Sequence, residues 1–363
     1  MQDRLVQIVS MAQSQVLTQG VEYVEYAVRD LEESSKLYEK MGFTCVGLRR
    51  EGSKLSKLFM QGDIRIVLST STNDKDGVSQ FVSKHGDGVL LMGYRVEDAA
   101  ESHAAALQKG AKSAYSAQTR KGAADVAIQE SAIHVFGDVL TSFVSHDNKT
   151  KFEDLFTENH KPLDSHKGRF LQTIDHITVN VEKGQVDRWV SFYKDIFAFY
   201  QVREFDIRTE KTGLFSRAMR NPNGRVTMPF NEPTNEKSQI QEFIDVLHGP
   251  GVQHIAFHTS NIISCLDELN KHSFKFLTVP ETYYDAVPKR VPNVTEDMKT
   301  LSRLGILVDG SPQGYLLQIF TEPVVGPFFF EFIQRKGDNG FGDGNFRALF
   351  EAIERDQMRR GYL

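Results

Sequence analysis

The chain has 363 residues, which at about 150 residues per domain suggests two domains. Hydrophobic residues make up 40% and charged residues 25%, and the formal net charge is −5. That balance is ordinary for a globular protein and argues against a nucleic-acid or anionic-membrane binder. The first twenty residues lack the apolar core of a signal peptide, and the two cysteines, Cys45 and Cys265, lie far apart. A reduced, cytoplasmic protein without disulfides is the expectation. One count stands out, 26 Phe against a single Trp.

In chain order, VEYVEYAV (21–28) nearly alternates apolar and polar residues and predicts a half-buried strand. KLYEKMGF (36–43) follows in a helix-like stretch, then HGDGVLLMGYRVEDA (85–99) and GDVLTSFV (137–144). A polar stretch at 146–168 reads as a linker. The series then repeats: IDHITVNV (174–181), SFYKDIFAF (191–199), HGPGVQHIAFHTSNI (248–262) and GPFFFEFI (326–333). Within it, Trp189, Phe192, Tyr193 and Ile196 fall on one helical face. Pairing Tyr23 with His176, Leu91 with His254 and Ser142 with Glu331 gives offsets of 153, 163 and 189. The second copy is therefore the enlarged one. An α+β fold of tandem βαβββ units is predicted, with one domain over 1–150 and a second over 151–363. This doubled strand–helix–strand pattern resembles the vicinal-oxygen-chelate superfamily, which implies half-barrels around a cleft.

The substitutions across the repeat single out His176, His254 and Glu331, which replace Tyr23, Leu91 and Ser142. Two histidines and a carboxylate on one side of a metal leave the opposite positions open, as non-haem Fe(II) requires. Zinc accepts the same atoms, so the ligand set does not name the metal. His258 is set aside, because four strand residues span about 13 Å, too far from His254 to share an ion.

Six motifs then follow in order: PFNEP (229–233), KSQIQEF (237–243), GPGVQHIAF (249–257), GILVDGSPQGYLLQIFTEP (305–323), FFFEFIQRKG (328–337) and GFGDGNFRALF (340–350). Together they make the chain similar to the 4-hydroxyphenylpyruvate dioxygenase family. The resemblance covers nearly the whole chain and is strongest from about Asp175 to Gly361. Hydroxymandelate synthase shares the fold, metal set and substrate, but differs around Asn231 and at Phe346, which here follow the dioxygenase pattern. The resemblance implies one Fe(II) per chain, held by His176, His254 and Glu331. The substrate would be an aromatic 2-oxo acid that reacts with dioxygen, and no separate 2-oxoglutarate is needed. Decarboxylation, ring hydroxylation and side-chain migration would give homogentisate. The family also implies a homodimer or homotetramer. A metal-free binding module is the rival from another class, but such a protein should have lost its ligands.

By the same resemblance, Ser216, Asn231, Gln239, Gln253 and Gln318 form the polar network around the substrate, binding it without added charge. Adjacent strand residues face opposite sides, so Gln253 beside His254 needs a local twist or acts from behind. Pro229 can fix the backbone before Asn231. Phe320 shares a face with Gln318, and Phe329 shares one with Glu331. Phe346, Leu349, Phe350 and Ile353 mark one face of a C-terminal helix, with Asn345 as the expected N-cap. The family pattern puts Phe346 and Phe320 on either side of the aromatic ring. The glycines of KGDNGFGDG (336–344) make that helix a candidate lid, with Phe341 at its mouth.

Overall fold

A computed structural model describes residues 15–122, 127–147, 149–158 and 170–363. The first 14 residues and the second part of the expected linker (159–168) lie outside them, as does the side chain of Leu349.

The first half runs β1 (Gly20–Ala27), α1 (Leu31–Lys40), β2 (Thr44–Glu51), β3 (Lys54–Gln61) and β4 (Ile64–Ser71). After α2 (Gly77–His85) it begins again: β5 (Gly88–Arg95), α3 (Ala99–Gln108), β6 (Lys112–Lys121), β7 (Ala127–His134) and β8 (Leu140–Ser145). The repeat read from the sequence is thus itself doubled, with two βαβββ units in each half. Local chemistry fixes the helix starts. The carboxylates of Asp30 and Asp98 each accept two backbone N–H groups at the first turns of α1 and α3.

The second half repeats the order with β9 (Thr173–Asn180), α4 (Val186–Phe197), β10 (Tyr200–Arg208), β11 (Gly213–Arg220) and β12 (Thr227–Pro233). Next come α5 (Gln239–Leu247), β13 (Gly251–His258) and α6 (Ile262–Asn270). Two further helices, α7 (Thr282–Arg290) and α8 (Met298–Leu304), occupy the insertion that the larger offset required. The chain then finishes with β14 (Leu307–Ser311), β15 (Gly314–Phe320), β16 (Phe329–Lys336) and α9 (Asp343–Arg360).

Each half folds its eight strands into one curled sheet. The order is β2-β3-β4-β1-β5-β8-β7-β6 in the first and β10-β11-β12-β9-β13-β16-β15-β14 in the second. The three matched strands are central neighbours in both. Ala256 on β13 lies opposite His176 on one side and Glu331 on the other. Gly93 on β5 lies likewise between Tyr23 and Ser142.

Helices from each half fill the space between the sheets. Tyr38 of α1 meets Phe330 of the second sheet, with ring centroids 6.0 Å apart. Trp189 of α4 meets Phe136 of the first half at 5.7 Å. Phe197, Phe199, Phe230, Phe257 and Phe330 are all fully buried here. Much of the phenylalanine excess is therefore packing across the pseudo-repeat, where each ring removes about 150–250 Å² from water.

Candidate metal centre

Alternation along three strands builds the site. On β9, Ile177 and Val179 face the core, so His176 and Thr178 face the cleft. On β16, Phe330 and Phe332 enter the core and leave Phe329 and Glu331 on the cleft side. The ligand atoms of His176, His254 and Glu331 lie within 4.8 Å of one another, and all three residues are buried. His176 Nε2 is 3.2 Å from Glu331 Oε2, and His254 Nε2 is 3.4 Å from the same oxygen.

Both imidazoles are oriented from behind. His176 Nδ1 donates to Asp175 Oδ1 at 2.8 Å, and His254 Nδ1 donates to Gln253 Oε1 at 3.0 Å. Each Nε2 is thereby directed inward, the arrangement that raises a histidine's basicity toward a metal. Gln253 reaches His254 because β13 shifts register between Val252 and His254, a bulge that supplies the required twist. Glu331 is held at its other oxygen, where Gln318 Nε2 donates to Oε1 at 2.8 Å.

Electrostatics separates the two histidines. Burial alone would lower the His176 pKa, but the Glu331 carboxylate and the Asp175 hydrogen bond outweigh it and push it up to about 9. Burial prevails at His254 and lowers it. Burial would raise Glu331, yet the His176 charge brings it down to about 2. Without a cation the cluster is an imidazolium–carboxylate pair beside a neutral imidazole. His254 Nε2 has no hydrogen-bond partner despite its burial. A buried nitrogen in that state is costly, and three convergent N and O donors fit a divalent transition metal.

A cavity of about 20 Å³ adjoins the cluster, lined by His176, Thr178, Phe205, Ser216, Pro229, His254, Gln318, Phe320, Glu331, Phe341 and Phe346. Of the eleven residues predicted around the substrate, six line this cavity and five do not. Ser216, Pro229, Gln318, Phe320, Phe341 and Phe346 line the cavity. Gln239, Gln253 and Phe329 instead line a neighbouring cavity of about 370 Å³ between α5 and α9. Phe329 is stacked on the His254 ring at 4.7 Å, closing one space from the other. Asn231 pairs with Ser216 across the strands and donates to Asn180 Oδ1 at 3.2 Å. Ser216 Oγ, Asn231 Oδ1 and Gln239 Oε1 are all buried without partners.

Asn345 does not cap its helix. Gly342, with φ +72°, starts α9, and the side chain of Asn345 lies between the Gln318 amide at 3.0 Å and the Tyr283 hydroxyl at 2.6 Å. The left-handed backbone at Gly342 starts the helix without a side-chain cap, freeing Asn345 to brace Gln318. His258 ends β13 and lies outside the cluster. Phe205 and Thr178 were not foreseen. Thr178 follows His176 by two on the same strand, a spacing that could have revealed it, whereas Phe205 comes from β10, where no motif points inward.

Comparison with known proteins decides the family. The chain is 42% identical to the 4-hydroxyphenylpyruvate dioxygenase of Pseudomonas aeruginosa, covering 95% of this chain and 96% of that one. It is 41% identical to the protein called Hemolysin VllY of Vibrio vulnificus, covering 95% and 97%. The chain belongs to the 4-hydroxyphenylpyruvate dioxygenase family. Residues 13–159 match the family profile described as Hydroxyphenylpyruvate dioxygenase, HPPD, N-terminal. Residues 173–287 match the broader Glyoxalase/Bleomycin resistance protein/Dioxygenase superfamily. A solved structure of a triple mutant of 4-hydroxymandelate synthase from Streptomyces coelicolor is 26% identical, with TM-score 0.84 over 94% of this chain and 99% of that one. The dioxygenase family thus supplies a background in which a buried two-histidine, one-carboxylate cluster is a metal centre. Among the described residues, no helix is long and apolar enough to cross a membrane.

Proposed function

We propose that the protein is an Fe(II)-dependent dioxygenase of tyrosine catabolism, converting 4-hydroxyphenylpyruvate and dioxygen to homogentisate and carbon dioxide. The observation that carries this reading is the convergence of His176, His254 and Glu331, buried and within 4.8 Å, in a chain of this family. Two imidazoles and one carboxylate leave open positions for both a chelating 2-oxo acid and dioxygen, which favours iron over a closed zinc site. Bound iron would supply the dioxygen chemistry, and the substrate's own 2-oxo acid group takes the place of separate 2-oxoglutarate.

The protein's residues bind, orient and dry the substrate. Ser216 Oγ and Asn231 Oδ1, buried and unpartnered, await its polar ends. Phe320 and Phe346 flank the ring, and Phe341 covers the ligands, its ring 5.9 Å from that of His176. The 20 Å³ space beside the cluster has room for little more than a water. Admission of an aromatic acid therefore requires Phe341 and Phe346 to swing outward, and their return excludes solvent. A reducing cytoplasm is the expected site of action, since two cysteines in 363 residues give no disulfide framework. A homodimer or homotetramer is the expected assembly, to be read by light scattering.

The test is to incubate the protein with Fe(II), ascorbate and 4-hydroxyphenylpyruvate and to identify the product by mass and chromatography. Homogentisate is expected. Hydroxymandelate would transfer the protein to the sister activity, and no oxygen uptake would sink both readings.

A further inference from the structure

Arg335 is the last but one residue of β16, four positions beyond Glu331. Its guanidinium makes four hydrogen bonds in two directions. Nε and Nη2 donate to Asp175 Oδ2 and Oδ1 at 2.7 and 2.8 Å. Nη1 donates to the carbonyls of Asp338 and Gly340 at 3.1 and 2.6 Å. Asp175 Oδ1 is also the acceptor that orients His176. One planar cation therefore joins the support of a metal ligand to the loop that carries Phe341 and leads into α9. The pair is bidentate and largely buried, with side-chain exposures of 16% and 11%, so its geometry is fixed by both partners.

A second connection runs in parallel. Gln318 Nε2 donates to Glu331 Oε1 at 2.8 Å and to the Phe341 carbonyl at 3.3 Å. The same short segment is thus attached to the supports of two different metal ligands. An arginine that only closed the end of β16 would need Asp175 alone. The Nη1 amino group, with two N–H donors, reaches two loop carbonyls and so ties the two structures together.

We infer that Arg335 is a positioning residue that sets the orientation of His176 and the closed position of residues 338–346 together, so that metal occupancy and closure are coupled. The inference rests on the metal reading above. Coupling of this kind is reciprocal: a cation that favours the oriented imidazole must favour the closed loop, and loss of the loop contacts must weaken the cation.

The experiment uses Co(II) alone as probe, with no substrate. Affinity is read from competition with a chelator, and closure from hydrogen exchange of the 337–346 amides with and without saturating Co(II). In the wild type, Co(II) should slow exchange across this segment. Arg335→Gln should bind Co(II) about 10- to 100-fold more weakly, the usual cost of losing a ligand's hydrogen-bonded support. At saturating Co(II) it should show no metal-dependent protection of the loop. Arg335→Lys keeps the charge but cannot form the fork and should also lose the protection. Asp175→Asn provides a second route should Arg335→Gln not fold; it should alter the Co(II) absorption spectrum and loosen the loop. Wild-type affinity in Arg335→Gln, or metal-dependent protection that persists in it, would overturn the coupling while leaving the metal site standing. If the wild type takes up no Co(II), the metal reading falls and this inference falls with it.

Discussion

The two halves share strand order and register yet treat the same three inward positions in opposite ways. In the second half, His176, His254 and Glu331 point at one another. In the first, Tyr23 stacks on Phe152 at 4.4 Å and its hydroxyl donates to Glu130 at 2.5 Å. The surrounding charges are matched: Lys54 Nζ lies 2.6 Å from Glu25 Oε1, and Arg120 reaches both Glu130 and Glu51 at 3.0 and 3.1 Å. A cavity of about 240 Å³ remains there, but its carboxylates already have cations. The scaffold thus offers the same three positions twice: the first half surrounds them with ion pairs, and the second converges three donor atoms on one point.

The sharpest way to break this contrast is to remove a donor from the second half. His254→Ala or Glu331→Gln should abolish metal uptake and reduce turnover to background, with far-UV circular dichroism preserved. Near-normal metal content, measured by elemental analysis, would show that the cluster is not the metal centre. The matching change in the first half should act on stability instead. Lys54→Met leaves Glu25 buried without its cation, and breaking a buried pair costs about 3–5 kcal/mol, while turnover per folded molecule should hold.

The sign of the pH dependence follows from the same pair. Burial would raise the Glu25 pKa, but Lys54 brings it below its ordinary value of 4.5. The wild-type contribution is therefore present above the unfolded pKa and lost as pH falls through the lower folded value. In Lys54→Met burial is uncompensated, the folded pKa rises, and the variant's deficit should shrink on acidification toward pH 4.5. Denaturant midpoints from pH 4.5 to 8 would check it. A deficit that grows on acidification would contradict the account.

What the sequence made legible follows from the repeat. His176, His254 and Glu331 stood out because Tyr23, Leu91 and Ser142 occupy the equivalent strands, and the paired register shows them in equivalent places. Of the ligands' supports, Asp175 was hidden by the alternation rule, which would turn the residue before His176 away. Gln253 was legible only on condition of a local twist, and a bulge supplies it. Asn345 was misread for a related reason. A polar residue before an apolar stripe suggests a cap, but a left-handed Gly342 had already started the helix. The internal doubling of each half escaped notice because the second unit's helix and hairpins carry no shared motif.

A smaller effect should appear at the centre of the contrast. A Cβ on Gly93 would lie 2.4 and 2.5 Å from the Tyr23 ring, so the phenol in the first half depends on glycine where the second half has Ala256 beside an imidazole. Gly93→Ala should cost about 1–3 kcal/mol by overpacking. Adding Tyr23→His should recover part of that loss, since the second half accommodates the same pair of side chains. A double mutant no more stable than Gly93→Ala in thermal melts would mean that the ring is not what the glycine serves.

The smallest change concerns α9, which has no α-helical counterpart after β8 among the described residues of the first half. Phe346 is half-buried and meets Phe205 with centroids 4.9 Å apart, and both line the space beside the ligands. Phe346→Ile keeps an apolar side chain but removes a ring contact worth about 0.5–1.5 kcal/mol beyond area burial. Because the ring must be held in one place for oxygen to reach the correct carbon, a loss of that size permits a several-fold shift in product ratio with little change in folding. The expected result is reduced homogentisate with a second hydroxylated product, resolved by chromatography, at an unchanged melting temperature. If the ratio stays fixed while the melting temperature falls, Phe346 belongs with the packing phenylalanines between the sheets and not with the site.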